Sequence, residues 1–150
     1  MLKFIAMTLG LILLAGCQRQ PPAEVDLDLE SRRGQWVVIN YWAQWCKPCI
    51  HEIPELNALD RDYAGITVLG VNYDELSGEA LEEQVGALGI TFPTLKNDPS
   101  AALAIERPMV LPTTVIVTPQ GQLHTSLVGP QTLSSLVAAI GESLAPSKGD

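Results

Sequence analysis

The chain has 150 residues, a net charge of −8 and three cysteines. This length fits a single folded domain with a short leader, because compact domains cluster near this size. The acidic charge argues against a nucleic-acid-binding protein, which needs a basic patch.

The N-terminal segment 1–16 has the pattern of a secretory signal peptide. Lys3 supplies a positive start, Phe4 to Leu14 is almost wholly apolar, and small residues follow. The apolar run is too short for a transmembrane helix, which needs about 20 apolar residues. We therefore predict a cleaved leader, with a permanent membrane span as the alternative.

The segment Leu14-Ala15-Gly16-Cys17 resembles the lipobox of bacterial lipoproteins. This resemblance implies cleavage before Cys17 and lipidation of its thiol, which would account for the odd cysteine. The alternative is an ordinary signal peptide with an incidental cysteine. In similar lipoproteins a residue other than Asp after the cysteine directs the protein to the outer membrane, so Gln18 favours that membrane. Residues 17–24 are predicted to be the lipidated cysteine and an extended tether.

The folded domain is expected at 25–145, with a flexible tail at 146–150. Val25 to Leu29 supplies at most one strand, and Trp36 to Tyr41 is typical of a central buried strand. A helix is predicted over Lys47 to Asp60, with Pro54 expected to bend it. Ile66 to Val71 is a second buried strand.

The second half of the domain alternates in the same way. Ser77 is a plausible N-cap for the next helix, and Gly89 a stop signal. Pro119-Gln120-Gly121 is a turn signal between two strands. The predicted elements are a helix over Ser77–Leu88, a short strand over Phe92–Leu95, a short helix over Pro99–Ile105, a hairpin of Thr113–Val117 with Leu123–Val128, and a final helix over Thr132–Leu144. This order predicts an α/β, thioredoxin-like fold with a central mixed sheet flanked by helices.

Cys46 and Cys49 form a Cys-Lys-Pro-Cys motif where a strand passes into a helix. The helix N-terminus favours a thiolate at Cys46, so Cys46 is expected to attack a disulfide and Cys49 to resolve the product. Pro48 needs no N–H partner there and restrains the loop. Lys47 either adds positive charge beside the thiolate or is an ordinary solvated lysine.

Other interpretations of the cysteine pair remain open. A zinc site needs about four ligands, and only His51 and His124 are available as histidine ligands. A structural disulfide suits a secreted domain. A metallochaperone would hold Cu(I) on the two thiolates with a histidine. A peroxidase would need a lone peroxidatic cysteine in its own motif. We predict no metal and no other cofactor.

The segment Asn40 to Leu56, with Trp45 directly before Cys46, resembles the active-site segment of TlpA/ResA-like thiol-disulfide oxidoreductases of the thioredoxin superfamily. Leu111-Pro112-Thr113-Thr114 is similar to a second motif of that family. The resemblance implies a cis Pro112 facing the disulfide, a Leu111 backbone that pairs with substrate, and a helix-strand insertion at 77–105. It also implies that Glu52 is a buried glutamate able to take a proton from Cys49, rather than an exposed acid.

The resemblance implies an extracytoplasmic reductant of protein disulfides, for example of the haem-binding cysteines of apocytochromes. We expect the protein to be a monomer. A membrane or soluble thiol donor would return the electrons. The motif leaves the direction open, because related proteins span reduction potentials from about −270 to −120 mV. A thiol oxidase of the same fold is the alternative.

Overall fold

The computed structural model describes residues 22–141. The predicted signal peptide, Cys17, Gln18 and the tail at 146–150 lie outside the described residues. The strands are β1 (Glu24–Val25), β2 (Trp36–Trp42), β3 (Ile66–Asn72), β4 (Thr94–Leu95), β5 (Thr113–Val117) and β6 (Leu123–Val128). The helices are α1 (Lys47–Asp62), α2 (Gly78–Leu88) and α3 (Leu133–Ile140).

The six strands form one mixed sheet in the order β1-β4-β3-β2-β5-β6. The four strands β1, β4, β3 and β2 run parallel to one another. Strand β5 is antiparallel to both of its neighbours, β2 and β6. The predicted hairpin is present, with Gly121 at a φ of 77° in its turn. The fold class and the central position of β2 are therefore confirmed.

The two faces of the sheet are covered differently. Alternate residues of β2 enter two hydrophobic clusters, with Val38 in one and Val37 in the other. The buried apolar residues of all three helices belong to the cluster with Val38. The other face is covered by the segments before β2 and before β5, through residues such as Leu27 and Leu103. Loops rather than helices therefore cover this second face.

The short helix predicted over Pro99–Ile105 is wrong. The backbone makes one helical turn, in which Leu103 N–H donates to the Pro99 carbonyl at 3.0 Å. Ala104 then adopts a left-handed φ of 54°, which ends the turn. Ile105 is thereby directed into the packing on the second face of the sheet.

Several predicted element boundaries also differ: α1 ends at Asp62, two residues later than predicted, and β4 spans only Thr94–Leu95. Strand β1 begins at Glu24, one residue before the Val25 at which the first strand was expected. Ser77 is the N-cap of α2 but makes no side-chain capping bond; the Gly78 N–H donates instead to Glu24 Oε1 at 2.6 Å. Helix α3 ends at Ile140 rather than Leu144, because Gly141 leaves the helical conformation with a φ of 101°.

Candidate active site

The two cysteines lie where β2 passes into α1. Cys46 is the N-cap of α1, and its Sγ accepts a hydrogen bond from the Cys49 N–H at 3.3 Å. The two are joined in a disulfide with Cα atoms 5.3 Å apart. Cys46 is 5% exposed and Cys49 only 1%. An incoming thiol therefore has better access to Cys46, and the unpaired N–H groups of the helix N-terminus would stabilise its thiolate.

A groove of about 560 Å³ borders the disulfide. Its exposed lining is largely apolar: Trp45 is 64% exposed, Met109 93% and Val110 56%. An exposed apolar surface of this kind is typical of a binding site for another protein. The lining residues are Trp45, Cys46, Lys47, Pro48, Tyr73, Met109, Val110 and Leu111.

The segment that follows the groove contains the predicted cis proline. The bond between Leu111 and Pro112 is cis, as expected, and Pro112 is buried. Leu111 lines the groove together with Cys46. Gly129 N–H donates to the Pro112 carbonyl at 2.9 Å, which ties this segment to the end of β6.

Glu52 lies on α1 one turn after Cys49 and is 1% exposed. Its Oε1 accepts from the side-chain amide of Asn40, and its Oε2 accepts from the Gln131 N–H at 2.9 Å. Burial raises the pKa of Glu52 to about 7, although these two hydrogen bonds lower it. A buried carboxyl with a pKa near neutrality is suited to exchange a proton with a thiol.

The polar residues around Glu52 were not among the predicted site residues. Asn40 is fully buried on β2 and donates also to Thr114 Oγ1 at 3.1 Å. Asn40 is the one polar residue in the apolar run that forms β2, and this position could have indicated a site residue. Thr114 and Gln131 carried no such signal, because their contacts depend on the packing of distant segments.

Two further residues position the groove. Asp74 accepts from the Trp45 indole N–H, and Arg107 binds the Tyr73 carbonyl through Nη2 at 2.8 Å. Neither was predicted. Lys47 and Pro48, the first two residues of α1, are exposed beside the disulfide.

The histidines do not complete a metal site. His51 is exposed on α1, and His124 on β6 packs edge-on against Trp36 with ring centroids 5.2 Å apart. Within residues 22–141 no three His, Cys, Asp or Glu side chains are grouped as metal ligands would be.

The sequence profile of the AhpC/TSA family matches residues 18–126. The chain belongs to this family. It is 37% identical over 109 residues to the thioredoxin-like protein YneN of Bacillus subtilis, covering 69% of the chain and 62% of YneN. It is 34% identical over 122 residues to the thiol-disulfide oxidoreductase ResA of Geobacillus thermodenitrificans, covering 74% of the chain and 68% of ResA.

A solved structure shares the fold. The DsbF homologue from Corynebacterium diphtheriae superimposes with a TM-score of 0.63 at 27% identity, covering 77% of this chain and 76% of the other. The chain spans about three fifths to two thirds of the length of the curated relatives that it matches. In the described part of the chain, no helix has the length and apolar character needed to cross a membrane.

Proposed function

We propose that this protein is a thiol-disulfide oxidoreductase that reduces disulfides of other proteins outside the cytoplasm. The observation that carries the proposal is the Cys46–Cys49 disulfide at the N-terminus of α1, beside an exposed apolar groove. The similarity to ResA, which is named a thiol-disulfide oxidoreductase, supports the exchange chemistry. The haem-binding cysteines of apocytochromes are one candidate substrate.

The reaction uses two electrons and begins with the reduced pair. The Cys46 thiolate attacks one substrate sulfur, forms a mixed disulfide and releases the other substrate sulfur as a thiolate, which takes a proton from solvent. The groove would hold the substrate segment, with the Leu111 backbone alongside it. Trp45 and Pro48 supply apolar contact, and Lys47 adds positive charge near the thiolate.

The second step depends on Cys49 losing its proton. Glu52 lies three residues further along the same helix face, and its carboxylate would accept that proton. The Cys49 thiolate then attacks Cys46 Sγ, which closes the disulfide and releases the second substrate thiolate. The substrate is reduced and the protein oxidised. A membrane or soluble thiol donor must then reduce the protein again.

The reduction potential tests the direction of this reaction. The full chain, with Cys17→Ser to remove the third thiol, is equilibrated in detergent with dithiothreitol or glutathione, and Cys46→Ser serves as the control. A potential below about −230 mV supports a reductant, whereas one near −120 mV would indicate a thiol oxidase. A Cys49→Ser variant should accumulate a mixed disulfide through Cys46, and absence of this adduct would contradict the assigned roles.

We also propose that Cys17 anchors the protein to a membrane through lipid, with Gln18 favouring the outer membrane, and that the protein is a monomer. The lipobox-like sequence Leu14 to Cys17 supports the anchor. Labelled palmitate should enter the wild-type protein but not Cys17→Ser. Label in both, or in neither, would contradict lipidation, and fractionation of the two membranes tests the location.

A further inference from the structure

The amide of Asn40 is oriented in an unusual way. Its Nδ2 group donates to both Glu52 and Thr114, whereas its Oδ1 is buried without a hydrogen-bond partner. Leaving a buried carbonyl oxygen unpaired is unfavourable. Some interaction must therefore stabilise this orientation of the amide, in which both Nδ2 hydrogens are bonded and Oδ1 is not. A bond to an ionised acceptor is stronger than one between neutral groups, so the Glu52 carboxylate meets this requirement.

Among the described residues around Glu52, Asn40 is the one whose side chain donates a hydrogen bond to its carboxylate. On α1 the neighbours one turn away are Cys49 and Glu55, and Glu55 Oε2 accepts from the Leu133 N–H at 2.7 Å. The loop before α3 contributes a backbone N–H, that of Gln131. Among the described residues, no charged group contributes to the pKa of Glu52. Its proton affinity is therefore set by burial and by these two donors.

We propose that Asn40 is a positioning residue that lowers the proton affinity of Glu52 and aligns its carboxylate as proton acceptor for Cys49. Thr114 supports this role, because its Oγ1 takes the second Nδ2 hydrogen and keeps the amide from rotating. Without the Asn40 bond the carboxylate loses a donor, and its pKa rises further. Glu52 would then hold a proton in most molecules at neutral pH, rather than in about half of them, when Cys49 has to lose one. The inference rests on the proposed exchange reaction and on the role of Glu52 in it.

Carbon-13 NMR of glutamate-labelled, oxidised full chain in detergent measures the titration midpoint of Glu52 directly. Asn40→Leu, which has similar volume, should raise this midpoint by about one pH unit. Thr114→Val should raise it by less. Thr94→Val is the matched control, because Thr94 is a buried threonine whose hydroxyl has no partner, and it should leave the midpoint unchanged. If the midpoint of Glu52 is unchanged in both Asn40→Leu and Thr114→Val, the proposal is overturned. If Asn40→Leu does not fold, an unchanged midpoint in Thr114→Val overturns it.

Kinetics separate action through Glu52 from a general structural effect. The rate at which Cys49 resolves a mixed disulfide is followed against pH. Asn40→Leu should shift the profile to higher pH, and the same substitution in a Glu52→Gln background should have no further effect. An equal effect in both backgrounds would mean that Asn40 does not act through Glu52. If the wild-type chain exchanged no disulfides, the proposed function would fail, while the NMR midpoints would still test the Asn40 contact.

Discussion

The indole N–H of Trp45 donates to the carboxylate of Asp74, with Nε1 3.1 Å from each of its two oxygens. Trp45 is 64% exposed, so packing alone does not hold the ring in place. Asp74 lies in the loop after β3, and the bond therefore fixes one wall of the groove beside Cys46.

Asp74→Ala should lower kcat/KM for a protein disulfide by about fivefold, the effect of one modest hydrogen bond. The rate with dithiothreitol should not change, because a small thiol needs no groove. Asp26→Ala, which removes a distant exposed partner of Lys96, is the control. An equal loss with dithiothreitol, or in the control, would contradict a role for Asp74 in the groove.

Glu52 should make the protein less stable as pH rises. Its pKa is raised from 4.5 to about 7 in the folded protein by burial, so the folded state binds more protons than the unfolded chain between these values. Stabilisation present below pH 4.5 is lost as pH rises through 7, by an amount on the order of 3 kcal/mol. In Glu52→Gln this part of the pH dependence should disappear. Urea denaturation from pH 4.5 to 8 measures both proteins, and parallel curves would show that Glu52 has no such effect.

Gly70 on β3 permits close packing against Trp42. A Cβ at this position would lie 2.8 Å from Trp42 Nε1 and 3.2 Å from both Phe92 Cε2 and Thr94 Oγ1. Gly70→Ala should therefore destabilise the protein by about 1–3 kcal/mol. Gly86→Ala on α2 is the matched control, because its Cβ would meet nothing within 4 Å. That variant should be neutral or more stable by about 0.5–1 kcal/mol. A stable Gly70→Ala protein in urea denaturation would refute the packing argument.

Arg107 connects the two walls of the groove. Its Nη2 donates to the Tyr73 carbonyl, its Nε to Asp98 Oδ2 at 2.8 Å, and its guanidinium lies 4.2 Å from the Tyr73 ring centroid. Lysine cannot reproduce this geometry. Arg107→Lys should therefore reduce stability by about 1–2 kcal/mol and raise KM for a protein disulfide.

Arg61→Lys tests whether any arginine replacement has the same effect. Arg61 pairs with the adjacent Asp62 on the exposed side of α1, and the substitution should change stability by less than about 0.5 kcal/mol. Equal effects at both positions, measured by urea denaturation and steady-state kinetics, would contradict a specific role for Arg107.

Local signals explain which elements could be predicted. The runs predicted as strands at Trp36–Tyr41 and Ile66–Val71 formed central strands, each one residue longer than expected, because each is buried on both faces. Gly89 ended α2 with a left-handed φ of 67°. The prediction of a helix over Pro99–Ile105 was wrong, because tertiary packing rather than a local signal determines the conformation of this segment. Leu103 and Ile105 pack on the sheet, and the backbone makes one turn before Ala104 adopts a left-handed φ of 54°.

The sequence by itself determined the redox pair, because Cys46 and Cys49 are three residues apart at the start of one helix and local geometry brings them together. Only the tertiary structure decided the environment of Glu52. Its donors come from residues 12 and 79 positions away, and the Thr114 hydroxyl that orients Asn40 is 74 positions from it. Contacts of that range depend on how β2, β5 and the loop before α3 pack against α1. Burial and hydrogen bonding there, rather than residue type, set the proton affinity of the carboxyl.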